Sequence, residues 1–249
     1  MRQVTVVTGG SRGIGAATAR RLALAGHDVA ISYLGEASAA EAVAKSVTDL
    51  GRRCVVVPAD VSVEADVDRL FDTVIAALGP VTGLVNNAGI TSRSAPLVDT
   101  AIADIRRVIE VNVIGSLLCA RRAAQLMSTS RGGAGGAIVN VSSGAATIGG
   151  PGEYVHYAAS KAAVDTLTIG LAKELAPYGV RVNAVAPGLV RTEIHARGTG
   201  DPGRLDRLAP QVPIGRPAEP DEIAAPIAWL LSPEASYTTG AILRVAGGR

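Results

Sequence analysis

The sequence specifies an α/β fold, a doubly wound, mostly parallel seven-stranded sheet with helices on both faces. Short β-branched runs alternate with Ala- and Leu-rich helical stretches along all 249 residues, the order that gives parallel strands joined by right-handed crossovers. Hydrophobic residues are 48% of the chain but aromatic ones only 3%. A core of Ala, Val, Ile and Leu suits strands buried on both faces. The first apolar run, Val4–Val7, breaks into Thr8-Gly9-Gly10-Ser11-Arg12-Gly13-Ile14-Gly15 and then opens a helical stretch, Ala16–Ala25. That is the layout of a dinucleotide-binding turn.

In order, Gly26 closes the first helix and Val29–Tyr33 reads as a second strand. A helix over Glu36–Leu50 is stopped by Gly51, and Arg53–Val57 makes a third strand. Ser62 can cap the next helix, with Glu64, Asp66 and Asp68 in or near its first turns. Gly79-Pro80 ends it, Gly83–Asn86 is a fourth strand, and a long helix runs from about Ala101 to Met127. After a glycine-rich surface turn come a fifth strand, Ala137–Val141, a helix over Tyr154–Ala176 and a sixth strand, Val180–Val185. Periodicity then fails from Pro187 to Pro217; the last helix spans about Pro220–Leu231 and the last strand Ile242–Val245. With no fixed-period repeat and no second core, residues 1–249 read as a single domain carrying a mobile substrate-loop insert at about 188–217.

Lys and Arg number 24 against 22 Asp and Glu, a formal charge of +2. That balance argues against a nucleic acid or an anionic membrane as partner, and Arg121-Arg122 reads as a solvated helix face. Cys54 and Cys119 lie in apolar settings without metal-ligand spacing, which points to buried free thiols in a reducing compartment. The glycine loop begins within eight residues of Met1, and no apolar run reaches the length of a membrane span. A cytoplasmic protein is expected.

The chemistry concentrates in two places. In the glycine turn, Gly9 can turn the chain sharply, and Gly13 or Gly15 lets backbone approach a pyrophosphate or a neighbouring strand. Unpaired N–H groups at the helix start favour the anion. Further on, Tyr157-Ala158-Ala159-Ser160-Lys161 sets a phenol and an ammonium at i and i+4 on one helix face. A phenol ionises near pH 10; an adjacent cation favours its phenolate and makes it a proton donor or acceptor at lower pH. Ser142-Ser143 ends the preceding strand, where side chains reach a ligand crevice.

The ordered set Thr8-Gly9-x-x-x-Gly13-Ile14-Gly15, Asp60-Val61, Asn86-Asn87-Ala88-Gly89, Asn112, Ser143, Tyr157-x-x-x-Lys161, Asn183 and Pro187-Gly188-x-x-x-Thr192 resembles the short-chain dehydrogenase/reductase family, the single-domain Rossmann type. Trp229-Leu230-Leu231-Ser232 and the Gly240–Gly248 tail extend the likeness to the end of the chain. Pro151-Gly152-Glu153-Tyr154 makes it especially similar to uncharacterised bacterial sugar-dehydrogenase-like members. The resemblance implies Tyr157 as general acid/base, with Lys161 lowering its pKa and binding the nicotinamide ribose. It implies Ser143, rather than Ser142, bonding the substrate oxygen, and Asn112 holding a water that links Lys161 to bulk. It further implies a cofactor site of Gly9, Ser11, Arg12, Gly13, Ile14 and Gly15, to which Ser32 and Tyr33 can add hydroxyl donors for a 2′-phosphate. Asp60 and Val61 would meet the adenine, and Asn87, Ala88 and Gly89 the cofactor side of the fourth strand. Pro187, Gly188 and Val190 would also belong to the cofactor site, with Thr192 bonding the carboxamide. Asn87 and Asn183 also read as structural amides bridging backbone groups at strand ends. A dimer or, preferably, a homotetramer is implied as well, supported by the broad apolar surfaces of the helices at about 101–127 and 154–176.

The cofactor expected is NADP, with NAD less favoured. An NAD site places an acid about 20 residues beyond the glycines, whereas Ile31-Ser32-Tyr33-Leu34-Gly35 holds none before Glu36, which reads as part of the next helix. Arg12 can offer a charge-assisted fork to a 2′-phosphate. His156 points away from the Tyr157/Lys161 face, His195 lies in the insert, and no carboxylates cluster at ligand spacing, so no metal site is expected.

The expected function is hydride transfer between NADP(H) and a secondary alcohol or ketone, sugars and polyols included. The alternatives are a non-catalytic nucleotide-binding sensor or scaffold, and an epimerase or dehydratase that retains its cofactor. The substrate lining is expected from Ser94–Leu97, Ala145–Tyr154 and Leu189–Gln211. Arg93, Arg191 and Arg197 hint at an acidic or polyhydroxylated substrate, or are surface arginines.

Overall fold

A computed structural model describes residues 3–194 and 199–249. His195 and Arg197 lie outside the described residues. Seven strands form one sheet in the order β3-β2-β1-β4-β5-β6-β7, and every neighbouring pair is parallel. The strands are β1 (Val4–Val7), β2 (Asp28–Tyr33), β3 (Cys54–Pro58), β4 (Gly83–Asn86), β5 (Gly136–Val141), β6 (Val180–Pro187) and β7 (Ile242–Val245). The order reverses between β1 and β4, and at such a switch point a crevice opens beyond the carboxyl ends of the strands.

Alternation along the strands feeds two cores. On one face α3 (Glu64–Leu78), α5 (Gly115–Met127) and α7 (Val155–Leu175) cover Val4, Val6, Leu84, Ile138 and Val182, with Phe71 and Met127 among the largest buried side chains. On the other, α1 (Gly13–Leu24), α2 (Ala37–Asp49) and α9 (Pro220–Leu231) cover Val7, Val29, Ile31, Val85, Val139 and Val185. Successive strand side chains point to opposite faces, so both faces of β1 are buried by residues one apart. A buried amide ladder ties the layers: Asn86 Nδ2 donates to Asn140 Oδ1 at 3.0 Å, and Asn140 Nδ2 to Thr168 Oγ1 at 2.9 Å. Arg121 and Arg122 are not merely solvated; they pair across to Glu64, Asp68 and Asp72 of α3.

Three local expectations need correction. Ser62 does not cap α3: Val63 precedes the helix, and the Ser62 N–H and hydroxyl both donate to Asp60 Oδ1, at 3.0 and 2.6 Å. The Asp60 carboxylate, also bound by Arg107 at 2.6 Å, is the stronger acceptor. Second, the long helix read from Ala101 to Met127 is α4 (Ile102–Ile109), a π-type turn at Glu110–Ile114, and α5. Such turns inside helices recur at functional sites, and this one contains Asn112. Third, Glu36 is not in α2 but is the residue that precedes it, in extended conformation.

Two further helices matter for the site. The short α6 (Ala145–Ile148) follows β5, and α8 (Arg204–Leu208) stands in the segment between β6 and α9. Leu208 packs with Leu189 and Val212 in a small core of that segment. No helix among the described residues is long and apolar enough to cross a membrane.

Candidate active site

A cavity of about 920 Å³ runs along the carboxyl ends of the strands, at the upper end of the size range of ligand pockets. At one end Gly9, Ser11, Arg12 and Ile14 face Ser32 and Tyr33. Asp60, Val61, Asn87, Ala88 and Gly89 continue the wall, and Ser143, Tyr157 and Lys161 occupy its middle. Pro187, Gly188, Val190 and Thr192 complete that side. Of the predicted residues, Gly13, Gly15 and Asn112 stand behind the lining.

Their geometry shows why. Gly9 and Gly13 have φ of +62° and +51°, a left-handed backbone that glycine adopts without a Cβ penalty. A Cβ on Gly15 would lie 2.4 Å from Gly9 O and 2.6 Å from Asn87 Nδ2, so this glycine admits the turn itself rather than a ligand. Asn87 Nδ2 donates to Thr8 O and Gly9 O at 2.9 and 3.0 Å, and Ser32 Oγ accepts from Gly9 N at 3.3 Å. Asn183 bridges Thr238 O and Ala241 N. Both amides therefore do the backbone bridging expected of them. The helix behind the turn has neither a side-chain cap nor an acid in its first turn, leaving its N–H groups and dipole for an anion. The residues present fit a dinucleotide.

Arg12 stands at this end held by two carboxylates, Glu36 at 3.0 Å and Glu193 at 2.8 Å. The acid missing from 31–35 thus appears one residue later, as a partner of Arg12. Nearby, burial pushes the Asp60 carboxyl up, but hydrogen bonds from Ser62 and Arg107 and the Arg107 charge outweigh it and hold it ionised. Arg107 also lines the cavity. The sequence gives no signal for it, because its partner lies 47 residues away.

In the middle of the cavity α7 presents Tyr157 and Lys161 together, with the ammonium 5.8 Å from the phenol ring centroid. Lys161 Nζ donates to Val141 O at 2.8 Å, and burial lowers its pKa to about 8. Burial raises the Tyr157 phenol to about 12, while a hydrogen bond from Ser143 pulls the other way. The paired serines divide. Ser142 Oγ donates to the Lys161 carbonyl at 3.3 Å, whereas Ser143 Oγ accepts from Ala145 N at 3.1 Å and keeps its O–H to donate. Asn112 is fully buried. Its amide accepts from Ile90 N and donates to Ile90 O and Ser160 Oγ, all within 3.0 Å, so the side chain pins the π-type turn to the loop after β4. A Cβ on Gly89 would stand 3.3 Å from both Asn112 Oδ1 and Lys161 Nζ, which places these groups around one backbone point.

Of the expected substrate lining, Ala145–Tyr154 and Leu189–Gln211 both contribute. Ser94–Leu97 do not: Ser94 N and Ala95 N donate to Thr199 O and Glu153 O, two residues that do line it. Arg244, Ala246 and Arg249 line it instead, because β7 delivers the chain end to the same crevice. Arg93 is exposed and Arg191 pairs with Glu219 at 3.1 Å; neither lines the cavity. Buried His156 bonds Ser92 Oγ at 2.6 Å and also stands outside the lining. Arg204, which sequence reasoning did not single out, is buried in the wall; its carboxylate partner, Glu153, lies 51 residues away.

A family model described as enoyl-(acyl carrier protein) reductase matches residues 9–249. An uncharacterised oxidoreductase of Escherichia coli (strain K12), YgfF, is 47% identical over 246 residues, covering 99% of both chains. Cis-4-hydroxycyclohexanecarboxylate dehydrogenase of Sinomonas cyclohexanicum is 44% identical, covering 99% of this chain and 96% of that one. A short-chain dehydrogenase from Burkholderia cenocepacia J2315, solved in complex with NADP, superposes with a TM-score of 0.90 at 38% identity, covering 99% and 97% of the two chains. These likenesses take in the glycine turn, the Tyr157 face and the segment over the cavity alike, and the chain belongs to the short-chain dehydrogenase/reductase family of NAD(P)-dependent oxidoreductases.

Proposed function

We propose that this protein moves a hydride between NADP(H) and a secondary alcohol or ketone, sugars and polyols included, with Tyr157 as general acid/base. The observation that carries the reading is the meeting of the Tyr157 phenol, the Ser143 hydroxyl and the Lys161 ammonium on one wall of the cavity. The nicotinamide, when bound, supplies or takes the hydride. In the reductive direction Tyr157 gives its proton to the carbonyl oxygen while Ser143 donates a hydrogen bond to the same atom. The Lys161 charge stabilises the phenolate that remains, and Lys161 is held by Val141 O. Positioned proton transfer of this kind contributes roughly 10²–10⁴ in rate.

NADP is favoured over NAD by Arg12 at the end of the cavity and by the acid-free stretch Ile31–Gly35. The NADP complex of the Burkholderia cenocepacia relative supports the same choice. Segment 188–217 serves as the substrate-side cover of a single domain. A homotetramer is supported by the apolar side chains left exposed around α5 and α7, Ile114, Leu117 and Ile169; light scattering at micromolar concentration reads it, and a monomer contradicts it. Residence in the cytosol is supported by Cys54 and Cys119, free thiols that burial raises to about 11 and about 12. A screen of ketones, aldoses and polyols by NADPH absorbance tests the function. Consumption with at least one class is expected, and none despite bound cofactor contradicts the reading.

A further inference from the structure

Arg204 stands apart in its segment. Its side chain is 4% exposed while that of Arg207, one turn on, is 56% exposed. A guanidinium leaves water only where partners compensate it, and here they come from the approach to the catalytic helix. One terminal nitrogen of Arg204 donates to the Glu153 carboxylate and, at 2.6 Å, to the Tyr154 phenol. Its Cζ lies 5.1 Å from the centroid of the Tyr154 ring. Tyr154 is the residue that precedes α7. Its N–H donates to Gly150 O at 3.0 Å, and a Cβ on Gly150 would lie 2.7 Å from its ring. Tyr154 then meets the Tyr157 ring edge to face, centroids 5.4 Å apart at 86°. An unbroken line of contacts therefore leads from α8 through Tyr154 to the proposed acid/base.

We propose that Arg204 is a positioning residue, which couples the seating of α8 to the orientation and ionisation of Tyr157. The proposal rests on Tyr157 being the acid/base. Lys161 faces Tyr157 from its own helix, Ser143 from the turn after β5, Tyr154 from the approach to α7, and Arg204 from α8. The Arg204 charge favours the phenolate and Tyr154 the phenol. Glu153 tempers Arg204: with the carboxylate present the pair is near neutral, and without it the cation acts on the tyrosines unopposed. Displacement of α8 from the approach to α7 would withdraw that cation and the hydrogen bond that fixes Tyr154. Tyr157 would then lose a neighbour that orients it and a charge that eases its ionisation.

The test is a titration of the full chain saturated with oxidised dinucleotide, following tyrosinate absorbance. Each protein is read against the same protein carrying Tyr157→Phe, which isolates the Tyr157 step. Arg204→Met is expected to raise its midpoint by about half a pH unit or more. Glu153→Gln is expected to lower it, and Arg204→Lys to keep most of the native value. Opposite shifts from two changes within one ion pair are not a consequence of general loosening. Should Arg204→Met not fold, Glu153→Gln and Arg204→Lys still carry the sign. Unchanged midpoints, or shifts in one direction for both Arg204→Met and Glu153→Gln, overturn the proposal. So does an Arg204→Met enzyme in which only KM rises, since that marks a latch on the substrate alone. If the wild type transfers no hydride with any alcohol or ketone, the functional reading falls, while the titration still decides the coupling.

Discussion

The glycine turn between β1 and α1 and the segment between β6 and α9 border the same cavity, yet they are held by different forces. The turn is fixed by backbone and close approach. Gly10 N donates to Ser32 O at 2.9 Å, Asn87 clamps two carbonyls, and Gly15 leaves no room for a Cβ. The segment has a small core around Leu189, Leu208 and Val212, with ion pairs such as Arg191–Glu219, Arg207–Asp201 and Arg216–Glu222 around it. One region has a shape that hardly any side chain but hydrogen can satisfy. The other is adjustable, since exposed pairs contribute little and are screened by salt. The rigid kind borders the cavity at Gly9, Ser11 and Arg12, the adjustable kind at Leu189, Arg204 and Leu208.

Gly15→Val breaks the rigid side most severely. The new side chain would meet Gly9 O and Asn87 Nδ2 far inside contact distance. Overpacking of this kind costs about 1–3 kcal/mol, or more where backbone must move. A clear fall in Tm and loss of dinucleotide binding by calorimetry are expected; a variant that binds normally would show that the turn yields.

The cofactor end comes next, where one charge decides the outcome. Arg12→Ala should remove roughly 1.5–3 kcal/mol of preference for the 2′-phosphate, about one to two factors of ten. Glu36→Gln loosens one of the carboxylates that hold Arg12 and should widen the gap between NADP and NAD severalfold. Titration of both cofactors against both variants reads this, and equal gaps in all three proteins would remove Arg12 from recognition.

The alternation of strands and helices, the glycine turn and the Tyr157/Lys161 face were legible because each depends on local spacing. Short β-branched runs, glycines at fixed offsets and an i, i+4 pair all carry their geometry with them. What stayed hidden depends on partners far apart in the chain. Glu36 meets Arg12 across the turn, Arg107 meets Asp60 from α4, and Arg204 meets Glu153 from α8. The π-type turn at Glu110–Ile114 was equally illegible, since a helix with one widened turn keeps nearly the same apolar pattern. Ser62 was misread for a related reason: its acceptor, Asp60, gains its strength from that distant Arg107.

A smaller effect separates the regions by pH. Buried His27, at the start of β2, bonds Thr5 Oγ1 at 2.8 Å, and burial and then the Arg52 charge lower its pKa from 6.5. The neutral form is therefore the folded one. Stability is present above pH 6.5 and declines below it, as the unfolded chain takes up a proton that the folded chain does not. Asp28 acts lower. Burial raises its pKa, but bonds from the Arg53 backbone and side chain and the charges of Arg53 and Arg52 outweigh that and leave it depressed. Its contribution is lost only below pH 3.8, as pH falls through the folded value. Melts between pH 7 and 5 should fall by a few degrees, and His27→Gln should flatten that slope; an unchanged slope would exclude the histidine. Smallest of all is Arg216→Ala, which removes an exposed pair and should leave Tm unchanged.

Tyr157→Phe tests the central claim most directly. It removes one hydroxyl from the centre of the cavity and leaves the ring against Tyr154. With any substrate that the NADPH screen identifies, kcat is expected to fall about 10²–10⁴-fold, while the Kd for NADPH stays within a factor of about three, since the phenol is only a small part of the cofactor contact. Turnover near the wild-type rate would contradict the account and take Tyr157 out of the mechanism.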